Sequence, residues 1–471
     1  MRSRSLCLLV AASFASSCAT TTAPLGRPAP ALSSEQEARI GSQAESDLRR
    51  EVGLLGDAAL QRDVQQAGTR LAAAFAGPAR PWHFAVLDVA APNAFALPGG
   101  YVYLTRGLLP YLSRHSELAA VLGHQMAHVV RGDAVRAYLA GPGDVPADLG
   151  VFGTVARLFG RRAPLAVTRA LFASHDPDSE RQANALAAES LSRAGFDPAS
   201  MNVVLETLDR LDVEEDQRGV PTWGVTHGRQ IRLEPAPSPV PKPSAGDDYL
   251  EHVHNLLFGD DPREGLVRAN EFLKPDLRVA LTIPTEWDVS SDRTRMIANA
   301  PGHDAFLVLQ SVPAILRREV SEIAATLMNR AGFIAPAGAA TTLDGLPAFV
   351  GATAGPVEGL GDVRARVACL RSPRGVLLVA GVAPSARYPA VESQMTAAIR
   401  SIRAIPSGEA ERILPERIDL ETAHAGDTWD TIARRHGGVV MANLLAILNH
   451  AALDQPPPAG VSLKVVVASE K

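Results

Sequence analysis

Residues 121–128 read Val-Leu-Gly-His-Gln-Met-Ala-His, and they lie in a segment that the sequence predicts to be one long helix, Ser116 to Ala140. Histidines four residues apart on a helix project from the same face, where their imidazoles can share one metal ion. His124 and His128 are therefore candidate metal ligands. The same spacing also arises by chance in many helices, so the flanking sequence has to decide whether the pair binds metal.

The sequence on either side of these histidines alternates between helices and short strands. A capping signal at Ser33 begins the first helix, and Gly195 occupies the helix-stopping position after the last one. The expected elements are helices over 33–51, 58–75, 151–172 and 179–194 and strands over 82–87, 93–97 and 101–104. This order indicates a mostly helical α+β domain with a small sheet.

Three segments of this region resemble one family of enzymes. They are Asn-Ala-Phe-Ala-Leu-Pro-Gly-Gly at 93–100, Tyr-Val-Tyr-Leu-Thr-Arg-Gly-Leu-Leu at 101–109 and Glu-Leu-Ala-Ala-Val-Leu-Gly-His at 117–124. Together they resemble the HtpX and CAAX-prenyl-protease-like group of gluzincin zinc metallopeptidases, in particular its periplasmic BepA-like branch. The resemblance implies a zincin-type metallopeptidase domain over residues 33–232 that holds one Zn²⁺ ion and serves envelope protein quality control.

The resemblance also implies which residues hold the zinc ion. In the family, two helix histidines are joined by a glutamate from a later helix, and the matching residues here are His124, His128 and Glu180. Asn184 stands where the family has an aspartate that supports a ligand. Two nitrogens, one oxygen and an open position describe a catalytic zinc site. A metal-free relic of the fold is the alternative.

Gln125 occupies the position where family members have the glutamate that acts as general base. A carboxylate there takes a proton from the attacking water and returns it to the leaving amine, whereas a glutamine amide cannot accept that proton. Losing a general base costs about 10²–10⁴ in rate. Glu117 lies two helical turns away, roughly 12 Å, and is a poor substitute. The sequence therefore favours weak or absent proteolysis over an active peptidase.

The family binds an extended peptide along an edge strand by β-augmentation, which does not depend on residue 125. The residues that match this strand are Asn93, Ala94, Phe95, Ala96 and Leu97. The alternative to a peptidase is thus a non-catalytic, chaperone-like pseudopeptidase that binds unfolded or misassembled envelope proteins. A further match places His227 where the BepA-like branch has a possible fourth zinc ligand, although Gly228 replaces the usual proline. His227 is either that ligand or an ordinary surface-loop histidine.

The first 18 residues have the pattern of a bacterial secretion signal. Two arginines precede an apolar stretch from Leu6 to Phe14, and small residues then lead to Cys18. Small residues before a cysteine resemble a lipobox, so Cys18 is expected to carry a lipid anchor, with an ordinary cleaved signal as the alternative. Residues 19–32 suit a flexible tether. Ala19 is not the aspartate associated with inner-membrane retention, which favours periplasm-facing attachment to the outer membrane.

A chain of 471 residues is longer than one hydrophobic core usually accommodates, so more than one domain is expected. A proline-dense linker at 233–247 separates the first domain from two further regions. Residues 248–406 are expected to form a small α+β domain with helices over 248–272 and 391–405. Residues 407–471 resemble a LysM-like module, which implies contact with peptidoglycan; a small domain that merely packs on its neighbour is the alternative. The net charge of -5 and the absence of a basic stripe argue against a nucleic-acid partner.

Overall fold

The computed structural model describes residues 32–75, 80–139, 177–217, 247–302, 304–312, 318–357 and 360–469. The signal sequence with Cys18, the helix expected over 151–172, His227 and nearly all of the proline-dense linker lie outside these ranges. Within the described ranges, no helix is both long and apolar enough to cross a membrane.

Two helices and a three-stranded sheet begin the structure. Their bounds are α1 Ser34–Glu51, α2 Ala58–Ala74, β1 His83–Leu87, β2 Ala94–Leu97 and β3 Tyr101–Thr105. Ser33 caps α1 through a capping box with Gln36, as the sequence predicts. The sheet has the order β1-β3-β2, with β1 parallel and β2 antiparallel to β3. The strand expected over 93–97 is therefore confirmed, and it lies at an edge of the sheet.

The helix that carries the two histidines ends earlier than the sequence suggests. A short 3₁₀ helix, Arg106–Tyr111, leads from the sheet into α3, His115–Val130, and a separate helix α4 spans Asp133–Leu139. The prediction of one helix over 116–140 was wrong. Gly132 turns the chain between the two helices with a φ of 77°, a left-handed conformation that glycine adopts without strain.

Two further helices, α5 Pro177–Arg193 and α6 Ser200–Gln217, complete this domain. The sequence predicted α5, and Gly195 follows it with a φ of 73°, whereas α6 was not predicted. α2, α3, α5 and α6 pack around one apolar core. Gly123 on α3 faces α5 so closely that an added Cβ would lie 3.4 Å from the Cβ of Ala187. A small residue at this position thus brings the two candidate ligand-bearing helices together.

Only the start of the segment expected to be a helix over 248–272 is helical, and turns and short strands follow, so that prediction was wrong. Its elements are α7 Tyr249–Val253, β4 Leu257–Phe258, β5 Leu266–Arg268 and β6 Glu271–Lys274. Pro262 lies between Gly259 and Gly265, and both glycines have positive φ. These residues end any helix here and leave short extended segments, of which β5 pairs with β6.

The middle region is α+β, as expected. Its remaining elements are β7 Val279–Thr282, β8 Asp288–Ser291, β9 Arg295–Asn299, β10 Phe306–Val312, α8 Val320–Arg330, β11 Ala337–Leu343, β12 Leu346–Val357, β13 Gly361–Ser372, β14 Gly375–Pro384, α9 Tyr388–Arg400, β15 Arg403–Ala404 and α10 Ser407–Ala410. Seven strands form an antiparallel sheet in the order β11-β12-β13-β14-β10-β9-β8, with α8 and α9 on opposite faces. The helix expected over 391–405 ends at Arg400 because β15 pairs with β7.

The last segment has a strand–helix–helix–strand order. Its elements are β16 Glu416–Thr422, α11 Trp429–Arg435, α12 Ala442–Leu448 and β17 Ser462–Ala468. β16 pairs with β17 on one side and with β4 on the other. Apolar side chains of this segment also pack against Tyr111 and Leu211 of the first domain. The C-terminal segment is therefore docked on the domain that carries the two histidines, and its LysM-like assignment stays a prediction.

Candidate metal centre

Three side chains from two helices converge at one point. His124 and His128 project from the same face of α3, and their Nε2 atoms lie 3.1 Å apart. Glu180, in the first turn of α5, places one carboxylate oxygen 3.5 Å from Nε2 of His124 and the other 3.4 Å from Nε2 of His128. The structure thus brings together the three residues that the family resemblance assigns to metal binding.

The spacing of these donor atoms fits a metal ion. Tetrahedral zinc with ligands at about 2.0–2.1 Å holds neighbouring donors about 3.3 Å apart. The observed separations of 3.1 to 3.5 Å surround that value. Two imidazole nitrogens and a carboxylate oxygen are donors that zinc accepts, and a tetrahedron with three protein ligands keeps one position for water or substrate.

Asn184 fixes the orientation of the first histidine. Its side-chain oxygen accepts a hydrogen bond of 2.8 Å from Nδ1 of His124. This bond places the proton on Nδ1 and leaves the lone pair of Nε2 directed at the metal position. Asn184 lies one turn after Glu180 on α5 and is fully buried, so one helix supplies both a ligand and the support of another ligand.

Asp133 performs the same role for the second histidine, and sequence reasoning missed it. Nδ1 of His128 donates to a carboxylate oxygen of Asp133 at 2.8 Å. Asp133 is itself held by Arg131 at 3.1 Å, by Ser179 at 3.1 Å and by Arg136. In one continuous helix a residue five positions after a histidine points about 140° away from it. The turn at Gly132 removes that obstacle, and the Gly-Asp pair was the signal that could have indicated it.

Burial keeps the second histidine neutral. It lowers the pKa of His128 to about 4, with the guanidinium groups of Arg131 and Arg136 acting in the same direction and Glu180 opposing them. Near neutral pH the imidazole therefore carries no charge. Neutral imidazole is the form that binds a metal ion, so this histidine is ready to act as a ligand without losing a proton first.

Glu117 is not positioned to replace a base at position 125, and Asp178, which lies two residues before Glu180, has an ion-pair partner of its own. Glu117 accepts the backbone N–H of Ser113 at 2.6 Å and contacts Nε2 of His450 at 3.0 Å. Burial favours a higher pKa for Glu117, but His450 and the backbone hydrogen bond outweigh it and hold the pKa below its usual range. Asp178 is exposed and pairs with Arg181. The side chain at position 125 is therefore an amide, which cannot accept a proton as a general base does.

The predicted peptide-binding residues form the edge strand β2. The backbone oxygen of Asn93 accepts from the N–H of Thr105 at 2.9 Å, and the alternation of an antiparallel ladder then turns the backbone groups of Ala94 and Ala96 away from β3. The side-chain oxygen of Asn93 accepts the N–H of Ala94 at 2.7 Å. The strand therefore presents backbone groups along its outer edge, next to the helix that carries the histidines.

Comparison with known sequences identifies the family of the region that carries this site. Residues 58–234 match the sequence model of peptidase family M48, and this match spans both histidines and Glu180. This region of the chain belongs to peptidase family M48. M48 metallopeptidases depend on zinc, and the three converging side chains form a candidate site for it.

Curated relatives extend the similarity beyond the peptidase domain. The beta-barrel assembly-enhancing protease of Escherichia coli O157:H7 is 31% identical over 288 residues, which cover 57% of this chain and 58% of that protein. Its namesake in Yersinia pestis is 31% identical over 314 residues, or 59% of this chain and 63% of that protein. The mitochondrial metalloendopeptidase OMA1 of Schizosaccharomyces pombe is 31% identical over 139 residues, 29% and 40% of the two chains. The chain thus spans less than two thirds of the length of each of these relatives.

Proposed function

We propose that this chain is a zinc-binding M48 protein of a bacterial cell envelope, that it acts in quality control of outer-membrane proteins, and that its proteolysis is weak or absent. The proposal rests on one site, which has metal-binding side chains but has no general base at position 125. His124, His128 and Glu180 converge with metal-ligand spacing, while Gln125 stands beside them in place of a base. The similarity to beta-barrel assembly-enhancing proteases supports the cellular setting.

Each residue of the site has a definable part in this proposal. His124, His128 and Glu180 would hold one Zn²⁺ ion, which when bound polarises a peptide carbonyl and activates water. The amide of Gln125 can orient a water molecule by hydrogen bonding, but it cannot remove a proton from it. Asn184 supports His124 with an uncharged oxygen, which raises the basicity of the imidazole less than a carboxylate does.

The cellular location is proposed from sequence features in the N-terminal and C-terminal parts of the chain. Cys18 would carry the lipid that anchors the chain to a membrane, facing the periplasm and on the outer membrane. The tether over 19–32 would give the peptidase domain reach towards unfolded or misassembled envelope proteins. The LysM-like segment over 407–471 would contact peptidoglycan, and His227 would approach the fourth zinc position. No nucleic acid enters this proposal.

A second candidate function is a pseudopeptidase that binds peptides without cleaving them. The edge strand β2 supports it, because backbone groups along the outer side of Asn93 to Leu97 can pair with an extended peptide. Such binding uses none of the chemistry that Gln125 lacks. It therefore survives the loss of proteolysis and gives an inactive member of the family a chaperone-like or adaptor role.

Zinc content and casein hydrolysis test the proposal together. Replacing both His124 and His128 with alanine is expected to remove one equivalent of zinc from the purified full chain, and an unchanged zinc content would contradict the metal site. Wild-type protein loaded with zinc is expected to hydrolyse casein slowly or not at all. Rapid hydrolysis that a chelator abolishes would rule out the pseudopeptidase and identify an active enzyme.

A further inference from the structure

A second group of metal-ligand side chains lies at the other end of α3. His115 is the first residue of that helix, Asp63 lies on α2 and His252 on α7. One donor atom of each lies within 4.8 Å of a donor atom of the other two. His115 precedes His124 by nine residues, which corresponds to about 13 Å along the helix, so this group is separate from the first site.

Asp63 and His252 meet in a buried, direct contact. Oδ2 of Asp63 and Nδ1 of His252 are 2.5 Å apart, yet both atoms are buried and neither has a hydrogen-bond partner within the described residues. A carboxylate oxygen and an imidazole nitrogen are both ligand atoms of divalent metal ions, and a tetrahedral zinc ion bound between these two would hold them farther apart, at about 3.3 Å.

His115 is oriented by a carboxylate in the way that metal-binding histidines usually are. Asp247 places one oxygen 2.7 Å from Nδ1 of His115, while its other oxygen accepts the backbone N–H of the same residue at 3.2 Å. Asp133 has the corresponding place beside His128. A carboxylate behind an imidazole fixes the ring and increases its basicity as a ligand.

The charge around this group favours a cation. The N-terminus of a helix such as α3 is unfavourable for positive charge, because its backbone N–H groups carry partial positive charge. Three carboxylates offset this effect: Asp63, Asp247 and Asp248, the last with one oxygen 3.5 Å from Nε2 of His252. Imidazole with carboxylate is the donor set that Zn²⁺ and neighbouring first-row divalent ions prefer.

We propose that Asp63, His115 and His252 bind a second divalent metal ion of the zinc class, with Asp247 and Asp248 beside it. The three ligands come from α2, α3 and α7, so the ion cross-links the segment that follows the proline-dense linker to the start of the helix that carries the first site. All three side chains are partly exposed, which gives the ion access and lets the ligands close on it. The ion thereby stabilises the junction between the two regions.

Zinc itself is the probe, and the full chain is the sample. The His124→Ala, His128→Ala double variant, dialysed against micromolar zinc, is expected to retain one equivalent of zinc by elemental analysis. Adding His252→Ala to this double variant is expected to remove that equivalent. His254→Ala is the matched control, because His254 lies two residues away, is exposed and pairs with Asp419 rather than with this group.

The second site is contradicted if the double variant retains no zinc, or if His252→Ala leaves the retained zinc in place. A further measurement does not depend on whether the chain with His252→Ala folds. The melting temperature of the double variant is expected to rise when zinc is added and to fall with a chelator, and no response to either would also contradict the site. Because these measurements use a chain without the first site, they stay informative even if that site binds no metal.

Discussion

Asp133 and Asn184 hold the outer nitrogens of the two metal-facing histidines, and they differ in charge. Both distances are 2.8 Å, so the geometry at the two rings is the same. A carboxylate behind an imidazole raises its basicity and its affinity for metal more than an amide does. We therefore expect Asp133 to have a larger effect on metal affinity than its distance from the metal position suggests.

Substituting this carboxylate tests its role. Asp133→Asn keeps the size of the side chain but removes its charge, and the affinity for zinc at the His124–His128 site is expected to fall about 10–100-fold. The measurement is a competition titration with a zinc chelator. Asp427→Asn is the control, because Asp427 is also buried and held by an arginine, Arg435, but lies in the C-terminal segment. Equal affinity in wild type and Asp133→Asn would show that Asp133 is only structural.

Gly132 determines whether α3 and α4 are one helix or two. Its φ of 77° is costly for any residue with a Cβ, about 1–2 kcal/mol. Gly132→Ala is therefore expected to lower the free energy of unfolding by about that amount and to weaken zinc binding, because the turn is what brings Asp133 behind His128. Urea unfolding and the chelator competition measure the two effects.

Gly53 provides the matched control at this scale. Its φ is 89°, and no heavy atom lies within 4 Å of an added Cβ, so Gly53→Ala introduces the same backbone strain away from the metal position. This variant is expected to lose comparable stability and to bind zinc as tightly as wild type. If Gly132→Ala also binds zinc normally, the turn has no part in positioning Asp133.

Local sequence signals predicted the elements that local forces determine. The capping signal at Ser33 predicted α1, short apolar and aromatic runs with a Pro-Gly-Gly turn predicted β1 to β3, and Gly195 predicted the end of α5. The helix expected over 248–272 was wrong because the glycines and the proline after α7 outweigh its helix-forming residues. The role of Asp133 was not predicted, because it depends on where α3 ends, and the glycine before Asp133 was not read as the end of that helix.

The C-terminal segment docks, through a buried polar cluster, on the helix that carries the two candidate metal-binding histidines. Nζ of Lys464 donates to the backbone oxygens of Pro110 and Leu112 at 2.7 and 2.8 Å and to Oγ of Ser113 at 2.9 Å. Nε2 of His450 contacts Glu117, in the first turn of α3, at 3.0 Å. These contacts join residues more than 330 positions apart in the chain. No local pattern predicts such pairings, so the sequence suggested a separate module.

Removing the lysine tests this docking. Lys464→Met preserves bulk but leaves buried carbonyl groups without their donor and removes the positive charge of the lysine from the surroundings of Glu117, which keeps its contact with His450. The free energy of unfolding is expected to fall by about 3–5 kcal/mol, the range for removing one partner of a buried charged group. Limited proteolysis is expected to release a C-terminal fragment.

A second buried lysine serves as the control for this prediction. Lys274 is as buried as Lys464, but its Nζ contacts Arg263 and Asp276 within the middle region. Lys274→Met is expected to lower stability without releasing the C-terminal fragment. Release of the same fragment by both variants would show that the cluster around Lys464 has no specific role in docking.

The central claim is that the site keeps its metal ligands and lacks only a base, and one comparison tests it most directly. Casein hydrolysis by the Gln125→Glu variant is measured beside wild type, with both chains at equal zinc content. Restoring the carboxylate is expected to raise the rate about 10²–10⁴-fold. A variant that binds zinc and folds as wild type does, yet hydrolyses casein no faster, would contradict the account.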